Sequence, residues 1–152
     1  MQAMTYNGKV WGVPWYTDAG LLYYREDLLE KAGFSEPPRT WEELKQQALK
    51  TKQDTGTKFG FVFQGADYEG GVCDGLEYIW THGVNVLDPR DPSKVIIVSP
   101  ESVADLAAEH GIISAGVAPQ AMLEDKEDES SGAFTNGDPQ SSCATGPACT
   151  RS

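Results

Sequence analysis

The sequence lacks any apolar run long enough to cross a bilayer, and no basic and apolar export signal opens it. It also lacks a surplus of positive charge, because 23 acidic residues face 12 lysines and arginines and give a formal net charge of −11. Nucleic acids and anionic membranes are bound through basic surfaces, so this balance argues against both as partners. With 39% apolar residues in 152, there is still enough material for a core.

Potential metal ligands are few and badly spaced. The two histidines, His82 and His110, stand far from the cysteines, and Cys143 and Cys149 match no zinc or haem attachment pattern. A disulfide between those two remains open in an oxidising compartment, whereas Cys73 is expected to be a small core residue of a helix. We therefore expect no metal and no cofactor.

Acidic residues crowd the second half of the chain, and five of them fall within residues 124–129. A calcium loop needs alternating carboxylates, a turn glycine and a closing glutamate. This run has no such spacing, so the sequence predicts a solvated loop.

Two helices have clear signals at both ends. A short helix is predicted over residues 27–32 with Gly33 as its end, and a longer one begins at a capping box made by Thr40 and Glu43 and runs to about residue 55, where Gly56 closes it. The side chains expected to face inward are Leu28, Leu29, Leu44 and Ala48.

Further helices and strands follow from hydrophobic spacing. A helix over 70–82 should turn Val72, Leu76, Ile79 and Trp80 inward. Another, capped by Ser99 and Pro100 and ended by Gly111, should bury Val103, Leu106 and Ala107. Residues 59–63 and 95–98 are predicted to be strands, the latter short and buried. Strands alternating with helices indicate an α/β layered fold.

Aromatic side chains beside a carboxylate mark residues 13–24. Trp15, Tyr16 and Asp18 lie between two apolar runs that each suit a strand. An aromatic ring covers the C–H face of a sugar while a carboxylate accepts hydrogen bonds from its hydroxyls. The segment is thus a candidate sugar site, although a Trp-Tyr pair is also common in protein cores.

A resemblance extends from this segment over about nine-tenths of the chain. The stretches that carry it are GKVWGVPWYTDAGLLYYREDLLEKAGF at 8–34, PPRTWEEL at 37–44, GFVFQGA at 60–66, LEYIW at 76–80 and FTNG at 134–137. In order and spacing they resemble the family 1 extracellular solute-binding proteins of sugar ABC importers, most closely the trehalose/maltose-binding branch. The resemblance implies a periplasmic-binding-protein-like α/β fold of two lobes that close around a sugar.

That fold places the candidate residues at a cleft. Residues 1–13 would be the last strand of the amino-terminal lobe and the hinge crossover, and 14–138 an incomplete carboxy-terminal lobe. The resemblance implies a sugar-stacking role for Tyr16 and a hydroxyl-accepting role for Asp18, while Trp15 can instead pack under the hinge. The loop carrying Gln64, Tyr68 and Glu69 is expected either to face the cleft, where ligands bind in open α/β sheets, or to be a solvated structural loop.

The resemblance also implies partners and a location. It predicts a monomeric binder of a disaccharide such as trehalose or maltose, delivering it to the membrane subunits of an ABC importer and located in a periplasm or lipid-anchored outside the cell. Members carry an export signal and a further stretch ahead of the region matched here. Met1 is therefore expected to be an internal methionine used as a start, and the chain a fragment.

The last residues, 139–152, depart from the family pattern. Members continue into an apolar run and Met-Arg-Asn-Trp-Pro, with a tryptophan that stacks on the sugar, whereas this tail is polar and rich in Ser, Cys and Pro. When its possible codons are read displaced by two bases, they permit Ala-Val-Phe-Met-Arg-Asn-Trp-Pro in that order. The tail is therefore expected to be an out-of-frame, non-native and disordered segment.

Two other readings compete with sugar binding. Asp18 and Glu69 can be drawn as the carboxylate pair of a glycoside hydrolase, but the sequence does not set their separation and the family fold has no such activity. Alternatively, the chain is a truncated translation product with no function. An intact upstream reading frame would separate this last reading from a functional binding protein.

Overall fold

The computed structural model describes residues 4–15, 19–135 and 143–147, the last group through its backbone. Its elements follow in the order β1 (Thr5–Tyr6), β2 (Lys9–Val10), β3 (Gly20–Tyr24), α1 (Glu26–Lys31), α2 (Trp41–Thr55), β4 (Phe61–Val62), α3 (Glu69–Thr81), β5 (Leu87–Asp88), β6 (Asp91–Val95), α4 (Pro100–Ser114), a 3₁₀ turn (Gln120–Leu123), α5 (Glu127–Thr135) and β7 (Cys143–Pro147).

The first two helices form where their end signals place them. Thr40 Oγ1 accepts a hydrogen bond from the Glu43 N–H at 3.1 Å, and Gly56 closes α2 in a left-handed conformation with φ of 73°. The Glu43 carboxylate reaches back one residue further than in a standard capping box and accepts from the Arg39 N–H at 2.8 Å. Both the α1 and α2 predictions are confirmed, including the buried side chains Leu28, Leu29, Leu44 and Ala48.

The main sheet has three strands in the order β3, β7, β4. β7 runs antiparallel to β3, with Gly20 opposite Pro147, and parallel to β4, with Phe61 opposite Cys143. The expectation of disorder is therefore wrong for residues 143–147, because their backbone joins β3 to β4. In the described part of the chain, β1 with β2 and β5 with β6 form two further two-stranded antiparallel pairs.

The core lies between this sheet and the surrounding helices. Trp41 packs against Tyr78 with ring centroids 4.4 Å apart, and its Nε1 donates to the Thr81 hydroxyl at 2.8 Å. The cluster of buried residues comprises Leu44, Ala48, Phe61, Val62, Phe63, Tyr78, Ile112, Val117, Ala118 and Met122. Phe61 and Val62 of β4, which lies at the edge of this sheet, are both buried in the core, as the apolar sequence of this strand indicates.

The predicted inward face of α3 is only partly correct. Ile79 is buried and Leu76 is half-buried, but Val72 and Trp80 are 58% and 51% exposed. The helix instead buries Tyr78, since that ring is the one stacked on Trp41. The exposed pair leaves an apolar surface along α3.

The predicted face of α4 is also wrong. Ser99 caps the helix by accepting from the Ser102 N–H at 3.2 Å, yet Val103 and Leu106 are 63% and 46% exposed, and Ala107 is exposed as well. The helix runs past Gly111 to Ser114 and buries Ile112. Its end is set by the bond from the Val117 N–H to the Ile112 carbonyl and by Gly116 at φ 70°, a later stop than the sequence suggests.

The remaining differences concern short strands and the acidic run. The strand predicted at 59–63 is confined to β4, because the Gly60 N–H donates to the carbonyl of Val117. The predicted buried strand at 95–98 is wrong, since Val98 is 89% exposed and the strand β6 ends at Val95. Residues 127–129 form the first turn of α5, where carboxylates offset the positive end of the helix, so the expected loop is shorter than predicted.

Candidate functional site

A cavity of about 380 Å³ opens where α3 begins, beside the start of β3. It contains three of the six residues singled out from the sequence, namely Gln64, Tyr68 and Glu69. Among the described residues, the lining is Ala19, Gly20, Gln64, Tyr68, Glu69, Gly70, Cys73, Asp74, Leu76, Glu77, Trp80 and Glu127. The segment after β4 therefore lines a cavity, and it remains a prediction that this cavity belongs to the sugar cleft.

Gln64 supports this cavity wall more than it faces a ligand. It is 3% exposed, and its Nε2 and backbone N–H donate to the two carboxylate oxygens of Asp74 at 3.3 and 3.4 Å. Its Oε1 accepts a short hydrogen bond from the Tyr68 hydroxyl. Because the side-chain amide is engaged at both ends, it fixes the loop to α3.

The Tyr68 hydroxyl carries this network to α5. Besides donating to Gln64, it accepts a hydrogen bond at 3.0 Å from the backbone N–H of Glu127, the first residue of α5. Burial raises the pKa of the Tyr68 hydroxyl above its ordinary value. The Lys126 ammonium lies over the ring, 5.6 Å from its centroid. Tyr68 therefore contributes its ring to the cavity while its hydroxyl holds two elements together.

Two glycines let α3 approach the loop closely. A Cβ on Gly70 would lie 2.4 Å from both Gln64 Oε1 and the Tyr68 hydroxyl, and one on Gly71 would lie 2.2 Å from the carbonyl oxygen of Ala66. Those distances are far inside van der Waals contact, so side chains here would push the helix away from the wall. The glycine pair is needed for the geometry of the site.

Carboxylates crowd the far side of the cavity. Burial, together with the charge of Asp74, raises the pKa of the Glu77 carboxyl above its ordinary range. Its carboxylate lies directly against Gly20, where a Cβ would come within 2.0 Å of Oε1. Trp80, one helical turn further along α3, completes this side with a ring that is half exposed. Aromatic surface and carboxylate thus stand together here.

Sequence reasoning missed this contribution of α3. Asp74, Glu77 and Trp80 recur at three-residue steps, the spacing that places side chains on one side of a helix. Trp80 was assigned to the core because only its hydrophobicity was considered, whereas its acidic neighbours at that spacing signal a polar face. Cys73, expected in the core, is instead exposed and lines the cavity.

Of the other three predicted site residues, only Trp15 is described, and it is not among the residues that line the cavity. Tyr16 and Asp18 lie outside the described residues, although Ala19 and Gly20, which follow them directly, line the cavity. Trp15 is 93% exposed. Roles for Tyr16 and Asp18 in ligand contact, and a carboxylate pair of Asp18 with Glu69, remain predictions.

Two larger cavities lie elsewhere. One of about 600 Å³ lies near the end of α4, where Lys52 donates to the carbonyl of Gly116 at 2.7 Å. Another of about 500 Å³ lies between β3 and the start of α2; it contains none of the residues singled out from the sequence and shares Gly20 and Glu77 with the cavity at the start of α3. Among the described residues, no group of three His, Cys, Asp or Glu side chains could hold a metal ion, and no helix has the length and apolar character to span a bilayer.

The Gln64 contact with Asp74 gives a pH-dependent prediction. In Gln64→Glu the new carboxylate faces Asp74, and this like charge raises the pKa of the new carboxyl. In its protonated form that carboxyl can donate to Asp74 in place of the lost amide. A carboxyl whose pKa is raised in the folded state favours folding at low pH, and that contribution is lost as the pH rises through this pKa. We therefore expect Gln64→Glu to lower the free energy of unfolding by roughly 2–4 kcal/mol at pH ~8 and by much less at pH ~5. Urea unfolding at the two pH values measures it.

An exposed pair provides the matched control. Gln46 donates to the Glu42 carboxylate at 3.1 Å on the surface of α2, so Gln46→Glu creates the same chemistry in water. Its cost should stay below ~1 kcal/mol at both pH values. Equal pH dependence of the two variants would show that Gln64 does not support the buried network.

A family model and a related protein both indicate a binding protein of a bacterial transporter. Residues 2–142 match the family described as bacterial extracellular solute-binding protein. A probable ABC transporter-binding protein of Deinococcus radiodurans is 42% identical over 134 residues, which are 85% of this chain and 31% of that protein.

Solved structures show the same fold. Maltose-bound T. maritima MalE3 is 46% identical with a TM-score of 0.84, covering 96% of this chain and 36% of that one. A solute-binding protein of Thermotoga lettingae with α-D-tagatose is 28% identical with a TM-score of 0.78, covering 95% and 37%. The periplasmic-binding-protein-like α/β fold is thereby confirmed, and the chain spans about a third of the length of these relatives.

Proposed function

Because this chain belongs to the bacterial extracellular solute-binding protein family, we propose that it forms one wall of a cleft that captures a sugar for an ABC importer. The observation that carries the proposal is the cavity at the start of α3, where Trp80 and Tyr68 stand beside the carboxylates of Glu69 and Glu77. Aromatic rings and carboxylates together supply the apolar and the hydroxyl contacts that a sugar needs.

The finer parts of the proposal rest on the relatives. T. maritima MalE3 was solved with maltose, and its identity to this chain favours a disaccharide such as maltose or trehalose. We propose that the whole protein is a monomer without catalytic activity, that it works in a periplasm or lipid-anchored outside the cell, and that it binds the membrane subunits of its importer.

The proposed domain organisation follows the same comparison. We assign residues 1–13 to the hinge crossover and the last strand of the amino-terminal lobe, and 14–138 to a partial carboxy-terminal lobe. Exposure supports this, since Trp11 is 72% and Val13 is 82% accessible, which fits a segment that another lobe covers.

A chimera tests the proposal. Residues 2–135 replace the matched segment of T. maritima MalE3, which supplies the rest of the cleft, and binding of maltose and trehalose is measured by calorimetry. We expect binding, and we expect Asp18→Ala in the chimera to lose roughly 1.5–3 kcal/mol, the range for a hydrogen bond to a charged group.

The control removes a carboxylate elsewhere. Asp54 forms an exposed ion pair with Lys50 at the end of α2, so Asp54→Ala should leave sugar affinity unchanged. Failure of a cooperatively folded chimera to bind either sugar would refute the proposed function. An unchanged affinity in Asp18→Ala would discard only the role of Asp18.

A further inference from the structure

The polar groups that face this cavity differ in how far they are already engaged. The Tyr68 hydroxyl donates to Gln64, and the Gln64 amide nitrogen donates to Asp74. A hydroxyl has one proton to donate, and this amide nitrogen already makes one of its bonds inside the wall. The side-chain donors of this wall are therefore largely occupied by the protein itself.

Carboxylates, in contrast, are numerous, although Asp74 already accepts from Gln64. Glu69, Asp74, Glu77 and Glu127 all line the cavity, and Glu77 lies among them closely enough for burial and Asp74 to raise its pKa. In the part of the chain that the structure describes, the lining includes no lysine or arginine, and Lys126 lies over the Tyr68 ring outside that lining. The wall therefore carries a strongly negative potential.

The positive end of α3 would favour an anion in this cavity, but the carboxylate of Glu69 offsets it. Glu69 and Gly70, the first residues of α3, line the cavity, so the positive end of the helix dipole lies beside it, as at helix starts that bind phosphate. Glu69 is the first residue of the helix, so its carboxylate already lies at this positive end. A ligand anion would have to displace or approach this charge.

We infer that this wall selects an uncharged polyhydroxyl ligand and rejects phosphorylated or carboxylated forms of the same sugar. In this arrangement Glu77 accepts hydrogen bonds from the ligand's hydroxyl groups beside the Trp80 ring. Hydroxyl groups donate to carboxylates, whereas a phosphate ester brings like charge into a partly desolvated site. The inference rests on the proposed function and adds the charge class of the substrate, together with Glu77 and Trp80 as residues that set it.

A matched pair of ligands tests the charge selection. The chimera described above is titrated with maltose and with maltose 6′-phosphate, and the readout is the ratio of the two dissociation constants. We expect the phosphate to bind at least ~30-fold more weakly at low ionic strength, a ratio that should shrink in ~0.5 M salt as the charges are screened.

Variants separate charge from steric rejection. In Glu77→Gln the ratio should fall by at least ~5-fold, because one of the repelling charges is removed while the shape is kept. Glu30→Gln, on the exposed side of α1, makes the same change of net charge and should leave the ratio as it is. A ratio that Glu77→Gln does not change, or that salt does not reduce, would overturn the inference.

The titration of the chimera gives different results when the inference is wrong and when the proposed function is wrong. Maltose binding with equal binding of its phosphate refutes the charge selection alone. A folded chimera that binds neither compound refutes the sugar site, and the inference falls with it. Tighter binding of the phosphate would assign the helix start, and not Glu77, as the dominant contact.

Discussion

The 152-residue chain by itself should bind neither trehalose, maltose nor sucrose at millimolar concentration. A cleft protein desolvates its sugar between two walls, and hydroxyls that stay in water gain little from protein partners. The structure offers one wall, in which the Trp80 ring is half exposed. Relative to a micromolar binder, this is a loss of more than ~4 kcal/mol.

Thermal unfolding and calorimetry measure this expectation directly. The chain is heated with and without ~10 mM of each sugar, an excess that would raise the melting temperature of any millimolar binder. The chimera with T. maritima MalE3 is the positive control, since it contains the same wall with its opposing lobe. A cooperative transition of the isolated chain that shifts upward with sugar would show that one wall suffices.

The second expected result concerns the nucleotide sequence of the tail. The DNA for residues 139–147, read displaced by two bases, should encode Ala-Val-Phe-Met-Arg-Asn-Trp-Pro, with one or two conservative departures at most. An open frame long enough to complete the carboxy-terminal lobe should follow. The tail's composition changes abruptly after Asp138, which is where the family's next motif is expected.

The displaced frame should encode an aromatic contact that the present tail lacks. The tryptophan would supply a second aromatic wall facing Tyr16, and its loss is expected to abolish sugar binding whatever else survives. The strand β7 also suggests a cost of the present tail, since Gly146 and Pro147 are poor residues for the middle of a sheet. A stop codon in the displaced frame within these residues, or a frame without the tryptophan and the asparagine before it, would make the tail a genuine terminus.

Apart from Gly111, which α4 passes, local signals in the sequence were sufficient for the helix ends but not for the helix faces. Thr40, Gly56 and Ser99 act through hydrogen bonds or dihedral angles within one turn, so their positions could be predicted. Which side of a helix is buried depends on what packs against it. Val72 and Val103 therefore look like core residues in the sequence and are exposed in the fold.

The candidate site shows the same division. That Gln64, Tyr68 and Glu69 lie between a strand and a helix could be predicted, whereas the sequence leaves open whether they face a cleft. The buried, supporting role of Gln64 could not, since it depends on Asp74, which lies ten residues further along and is brought close only by the approach of α3. Tertiary contacts of this kind leave no local pattern in a single sequence.

The place of β7 in the sheet determines the order in which parts of the protein can fold during synthesis. β3 and β4 are both hydrogen-bonded to β7, so residues near position 20 wait for partners near position 147. During synthesis the helices around Leu44 and Tyr78 can pack first, while the sheet closes only after residues 143–147 have left the ribosome. Until then the edges of β3 and β4 are open, and the growing chain is most exposed to aggregation and to chaperones.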